Sequence, residues 1–269
     1  RGVRVPCPHD TDRPVTARGV FLRGKLGPMD RDELVAYLDE YLRIREFQDL
    51  SLNGLQVEGK REVQKVGAAV DAGLALFEKA LEAGVDFLIV HHGLFWGKPF
   101  PITGHHKRRL EVLFQGGISL YAAHLPLDAH PEVGNNWEIA RALGLLDLTP
   151  FDVGVKGRFP VPTPLVRVAD MLGQLTGMQP LVHQGGGEWV ETVTVVSGGA
   201  AGLLEKVDTD LFVTGEPKHS LFHETFERGR NVIYAGHYDT ETFGVKALAR
   251  HLEARFGLPW VFLDHPTGL

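Results

Sequence analysis

The chain has 269 residues, 43% of them hydrophobic and 23% charged, with a formal net charge of −6 at pH 7. That length can bury the core of one large domain or of two ordinary ones. No apolar run approaches the roughly 20 residues of a membrane span, and no charged-then-apolar signal pattern opens the chain, so the expected location is the cytoplasm.

Residues 1–28 differ from the rest. They hold six basic residues against Asp10 and Asp12, four prolines and no periodicity. They read as a poorly ordered leader, native or not, with Met29 as a candidate start. The leader also holds Cys7, the only cysteine, so the body offers no thiol as nucleophile, bridge or ligand. Without the leader's net +4, the body carries about −10. Such a balance argues against a general nucleic-acid binder, which needs a basic face. The run Lys107-Arg108-Arg109 reads as a solvated helix face.

From Met29 onward the signals come in α/β order. Asp30 followed by Glu33 is a helix-start signature, and Leu34, Leu38 and Leu42 mark one face of that helix. Asn53 and Gln56 fall in the loop after it, as satisfied loop amides or as substrate contacts. "KVGAAVDAG" (65–73) predicts a strand ending at Asp71, and "LALFEKALEAG" (74–84) a helix stopped by Gly84. "DFLIVHHG" (86–93) is a buried strand with a polar end. Trp96 and Phe100 beyond it are expected in core packing rather than in a cleft wall. A helix over about 106–115 precedes "ISLYAAHLPLD", a further strand with a polar end, and another helix starts near Asn135 or Asn136.

The second half repeats this grammar. "TVTVVSGGAAG" (192–202), "DLFVTGEP" (210–217) and "NVIYAGHYDTE" (231–241) match the three earlier strands in turn, and a long helix follows to Phe256. The run "HQGGGEW" (183–189) lacks the lysine and the strand–helix setting of a phosphate loop. The expected fold is α/β: two related α/β lobes with mainly parallel sheets, 29–149 and 150–269 with some interleaving, facing a shared cleft.

The chemistry-bearing residues gather at the strand ends, where open α/β sheets bind ligands. The first half supplies His91, His92, His124 and Asp128; the second supplies Glu216, His237 and Glu241, with His219 just past Glu216. "YAAHLPLD" (121–128) and "YAGHYDTE" (234–241) share one device, a histidine with a carboxylate four residues on. Imidazole and carboxylate together suit Zn, Mn, Fe, Co or Ni. A carboxylate bridges two cations roughly 3.5–4 Å apart. His91 and His92 point to opposite faces of a regular strand, but at its end they can diverge to serve different ions. Glu216 and His219 are candidates for proton transfer or substrate contact.

The chain resembles the type-2 GTP cyclohydrolase I homologues, also called Nif-three-like proteins. The matching text is "NGLQV" (53–57), "VDAG", "GVDFLIVHHGLFW", "YAAHLPLDAHPEVGNN", "VTGEPKHS" and "YAGHYDTETFGVKALARHL". The resemblance implies a two-lobed α/β protein that assembles as a toroidal homohexamer with two divalent metal ions per chain. By the same resemblance His91 and Asp128 hold one ion, His92 and His237 the other, and Glu241 bridges them. His124 matches a histidine that is either a ligand or a neighbour of the ligands. The implied activity is metal-dependent hydrolysis, with a nucleotide or purine ring such as GTP as substrate. A non-catalytic, ring-shaped scaffold that meets regulatory proteins is the alternative. Larger relatives carry an extra mid-chain domain, for which the short span between Thr149 and Ser197 leaves no room.

Overall fold

The computed structural model describes residues 27–269. Cys7 and all but the last two residues of the expected leader lie outside the described residues. In chain order come β1 (Met29–Asp30), α1 (Arg31–Tyr41), β2 (Gly54–Val57), β3 (Glu62–Val63), β4 (Val66–Asp71), α2 (Leu74–Glu82), β5 (Phe87–His92), α3 (Gly104–Gly116), β6 (Ser119–Ala122), α4 (Leu125–Ala129) and α5 (Asn135–Ala142). The second half adds β7 (Leu146–Phe151), β8 (Gly154–Pro164), α6 (Leu165–Thr176), β9 (Leu181–Gln184), β10 (Trp189–Val195), β11 (Leu211–Thr214), α7 (Phe222–Glu227), β12 (Asn231–Tyr234), α8 (His237–Thr240), α9 (Thr242–Phe256) and β13 (Trp260–Phe262).

Helix α1 starts where the sequence says it should. The Asp30 carboxylate accepts from the backbone N–H of Asp32 at 2.8 Å and of Glu33 at 3.2 Å, satisfying donors that the first turn leaves free. Leu34, Leu38 and Leu42 are all buried in the core of the first lobe, each worth about 1.5–3 kcal/mol of hydrophobic stabilisation.

The first sheet has the order β13-β4-β5-β6-β2, parallel except for β2 at its edge. Its interior strands are apolar on both faces because helices cover both. Helices α1 and α9 pack on one side through Leu34, Leu38, Val245 and Leu248. Helices α2 and α3 pack on the other through Phe77, Ala80 and Leu113. The second sheet has the order β7-β8-β10-β11-β12-β9. Only β10, β11 and β12 run parallel, the counterparts of β4, β5 and β6. Strands β7, β8 and β9 are antiparallel, which makes this sheet mixed rather than mainly parallel.

The boundary at 149/150 does not separate the lobes. Helix α5 packs into the second core through Ile139 and Ala140. The C-terminal segment returns to the first lobe, where α9 fills its core and Trp260, Val261 and Phe262 pair with Val66, Gly67 and Ala68. This interleaving matters for the site, since α9 starts at Glu241 and is held by the core of the opposite lobe. No helix among the described residues is long and apolar enough to cross a membrane.

Candidate metal centre

Each lobe brings strand ends to one cleft. Strand β5 ends in His91 and His92; β6 is followed by His124, at the start of α4, with Asp128 in its first turn. Strand β12 is followed by His237, the first residue of α8, and Glu241 caps the start of α9. The cleft between them has a volume of about 520 Å³.

The imidazoles are oriented from behind. His91 donates from Nδ1 to the Ala123 carbonyl at 2.8 Å, His92 uses Nδ1 on Asp71 at 2.7 Å, and His124 uses Nδ1 on Asp49 at 2.9 Å. The Nδ1 of His237 lies 3.4 Å from Glu216 Oε2. Tying Nδ1 in this way leaves each Nε2 as the free nitrogen, the arrangement found behind metal-ligating histidines.

Glu241 sits at the centre, its side chain 4% exposed. Its Oε1 is 3.3 Å from His91 Nε2, while its Oε2 is 3.0 Å from His92 Nε2 and 3.2 Å from His237 Nε2. Asp128 Oδ1 lies 3.4 Å from His91 Nε2 and accepts from Asn135 Nδ2 at 2.9 Å and Ser197 Oγ at 3.0 Å. Despite this crowding, neither His91 Nε2 nor Glu241 Oε2 has a properly directed hydrogen-bond partner. Buried acceptors that face one another unpaired are costly unless a cation lies between them.

Three groups of side chains have ligand atoms close enough to hold a metal ion: His91, Asp128 and Glu241; His92, His237 and Glu241; and His91, His92 and His124. Gly198 makes room for them. It has φ +71°, and a Cβ there would collide with Glu241 Oε1, so only glycine lets this loop approach. The donor set and the orphaned atoms fit a borderline divalent cation.

The electrostatics agree. Burial pulls His91 down, but the carboxylates of Asp128 and Glu241 outweigh it and raise its pKa. Burial opposes protonation of His92 too, yet Asp71 and Glu241 push it up to about 10. Glu241 raises His237 against the effect of burial. Burial would raise Glu241 itself, but the surrounding imidazoles hold it well below the usual carboxylate range. Burial raises Asp128 and lowers His124.

All six strand-end residues singled out as ligands, His124 included, converge here. Glu216 stands beside His237, 43% exposed; His219 is exposed on the next turn and does not line the cleft. The expectation of core packing for Trp96 is corrected. Its ring lines the cleft, 4.9 Å from that of His124, because its Nε1 is tied back to the Gly93 carbonyl at 3.0 Å. Phe100 is half-buried and stacks on Phe95 and His106 in a surface pocket rather than in the core. Gln56 lies in β2 rather than in a loop, and its amide holds the turn after β5 by accepting from Leu94 N at 2.7 Å. Asn53 accepts from His124 N at 2.7 Å and donates to Asp49 at 2.9 Å.

Sequence reasoning missed Asp49, Asp71, Ser197 and the two asparagines that brace Asp128. Asp71 carried the one usable signal, a carboxylate closing an apolar strand parallel to the one that ends in His92.

The sequence profile of Duf34/NIF3 (NGG1p interacting factor 3) matches residues 29–267. The chain belongs to this family. A relative from Deinococcus radiodurans, named GTP cyclohydrolase 1 type 2 homolog, is 51% identical over 92% of this Duf34/NIF3 chain and 96% of its own. One from Pyrococcus horikoshii with the same name is 45% identical over 90% of this chain and 100% of its own. Among solved structures, TTHA1606 from Thermus thermophilus superposes with a TM-score of 0.88 at 83% identity, covering 90% of this chain and 100% of that one.

Proposed function

We propose that the protein is a dinuclear-metal-dependent hydrolase that acts on a nucleotide or purine ring such as GTP, a reading supported by the relatives' name, GTP cyclohydrolase 1 type 2 homolog. The observation that carries this reading is the double outlook of Glu241, with Oε1 turned to His91 and Oε2 to His92 and His237. His91, Asp128 and Oε1 would hold one divalent ion; His92, His237 and Oε2 would hold the other, with His124 completing the set. An ion held by only three or four protein donors would have room for a water or substrate ligand, as catalytic rather than structural sites do. Two cations, when bound there, would supply Lewis acidity for the bond under attack and lower the pKa of a water nucleophile. Zn, Mn, Fe, Co or Ni suits these donors.

The chain's own residues supply the rest. Asp49, Asp71 and the Ala123 carbonyl hold three imidazoles with Nε2 forward. Glu216, half in solvent beside His237, takes or gives a proton at its carboxylate; His219, exposed and outside the cleft lining, has no part in the step. The cytoplasm is the compartment we assign. The test is turnover of GTP, other nucleotides and cyclic amides by metal-loaded protein, with metal content measured in parallel. Activity should vanish with the metal in a His92→Ala/Glu241→Ala variant, whereas Glu216→Gln should lose turnover and keep its metal. Metal-replete parent inert on all of these substrates would contradict the hydrolase.

A second reading, a metal-holding scaffold in ring-shaped homohexamers that meets regulatory proteins, is favoured by one observation. The second lobe exposes Val161, Val166 and Trp189, at 65%, 69% and 61%, near the β8–β10 pairing where Trp189 faces Pro164. Light scattering that gives six copies, with no turnover, would support the scaffold.

A further inference from the structure

The histidines of the centre are not held alike. The Nδ1 atoms of His91, His92 and His124 meet an oxygen at 2.8, 2.7 and 2.9 Å, whereas that of His237 lies 3.4 Å from Glu216, itself 43% exposed. The backbone beneath His237 is also the least secured. The chain leaves β12 through Gly236, at φ +93°, and α8 has four residues and no side-chain cap. So short a helix lacks the hydrogen bonds that repay its nucleation, and its place depends on what surrounds it. Its last residue is tied, because the Thr240 hydroxyl accepts from Gly198 N–H at 3.0 Å. Its first turn, which carries the imidazole, needs another support.

That support is the segment after β13. Residues 264–269 are all exposed, so burial does not hold them; directed hydrogen bonds do. Lys79 of α2 donates to the Asp264 carbonyl at 2.6 Å. The buried Tyr238 gives its hydroxyl proton to Asp264 Oδ1 at 2.7 Å and accepts from His265 N–H at 2.8 Å. Further on, the Leu269 backbone oxygen accepts from His237 N–H at 2.9 Å and from Tyr238 N–H at 3.3 Å. These are two of the donors that the first turn of a helix leaves free. At the other end, Leu263 is buried and its N–H donates to the Ala68 carbonyl of β4 at 2.8 Å. Strand β4 ends at Asp71, the carboxylate behind His92. One strap therefore runs from the strand that orients His92 to the turn that carries His237.

We propose that residues 264–269, joined to α8 through Tyr238 and Asp264, are a positioning strap that sets His237 opposite His92 and so governs the second ion of the pair. His92 and His237 come from different lobes, and their Nε2 atoms face one oxygen of Glu241 at 3.0 and 3.2 Å. A shift of the first turn of α8 opens this group. The first ion's donors draw on other supports, Ala123 for His91 and Asn135 and Ser197 for Asp128. The inference rests on the dinuclear reading for the ion, though not for the placement of His237.

The test is chelator-competition titration with Zn²⁺ of the parent, Asp264→Ala, Asp264→Asn and a variant lacking residues 264–269. Hydrogen exchange at the His237 amide is read by NMR on the same samples, with the Val232 amide of β12 as the control for the fold. Asp264→Ala and the deletion should weaken one of the two ions by about 10–100-fold, the scale of outer-sphere partners, and leave the other unchanged. Asp264→Asn keeps an acceptor oxygen for the Tyr238 hydroxyl and should restore the parent's affinity. The deletion should speed exchange at His237 and leave Val232 protected. Two unchanged affinities, equal weakening of both ions, or His237 exchange that the deletion does not alter overturns the proposal. If the deletion also exposes Val232, the contrast between Asp264→Ala and Asp264→Asn decides. A parent that takes up no Zn²⁺ sinks the dinuclear reading, and exchange at His237 then decides the strap by itself.

Discussion

Replacing Glu241 by Gln keeps the shape of the central side chain and removes its charge. In the parent, one carboxylate oxygen faces His91 Nε2 at 3.3 Å and the other faces His92 and His237 Nε2 at 3.0 and 3.2 Å. An amide presents one oxygen and one N–H₂, so one of the two groups loses its acceptor outright and meets a donor instead. The other keeps an oxygen without its charge. Outer-sphere partners alone change metal affinity by about 10–100-fold, and loss of a shared charged ligand should exceed that range. The expected loss is at least about 100-fold for one ion, or about 2.7 kcal/mol, with a smaller loss for the second. Because the substitution is isosteric and the residue 4% exposed, circular dichroism should report an unchanged fold. The assay is chelator competition with elemental analysis of the dialysed protein. Two ions retained with affinities near those of the parent would refute the bridging role.

Three further outcomes follow from the same geometry. Asp49→Asn should release His124 and lower affinity for the ion it serves by about 10–100-fold, read by competition titration, while ions bound without His124 are untouched. Gly198→Ala forces an alanine into φ +71° against Glu241; thermal denaturation should show about 1–3 kcal/mol of destabilisation together with reduced metal content. His251, stacked on Tyr41 and bonded to the Tyr37 hydroxyl, lies below its ordinary value of 6.5 because of burial, Arg255 and His130, against the pull of Glu132. Its contribution is therefore complete above pH 6.5 and is lost as pH falls through the folded-state value, since the unfolded chain takes up the proton first. Denaturant midpoints of His251→Phe should depend less steeply on pH below 6.5 than those of the parent; equal slopes would contradict this.

The legible parts of the fold were those with local causes. Asp30 announces a helix through its own carboxylate, and the apolar runs of β4, β5, β11 and β12 can only be buried strands. Strands β7, β8 and β9 were not legible. Their exposed, polar-rich pattern lacks a clean period, Pro160, Pro162 and Pro164 interrupt β8, and the β8–β10 register shifts between Val190 and Thr192. Strand β13 is three residues long, and its partner β4 lies nearly two hundred positions earlier, a pairing that no local pattern encodes.

The site divides in the same way. Its donors cluster at strand ends and repeat as His-x-x-x-acid, so they could be read directly. Their supports could not: Asp49 reaches His124 across 75 positions, and Ser197 reaches Asp128 across 69.

The most direct measurement is anomalous diffraction at the metal edge from a crystal of metal-loaded protein. Two peaks roughly 3.5–4 Å apart, flanking the carboxylate of Glu241 with His91 and Asp128 on one side and His92 and His237 on the other, are the predicted result. A single peak, or none within reach of Glu241, would contradict the dinuclear centre.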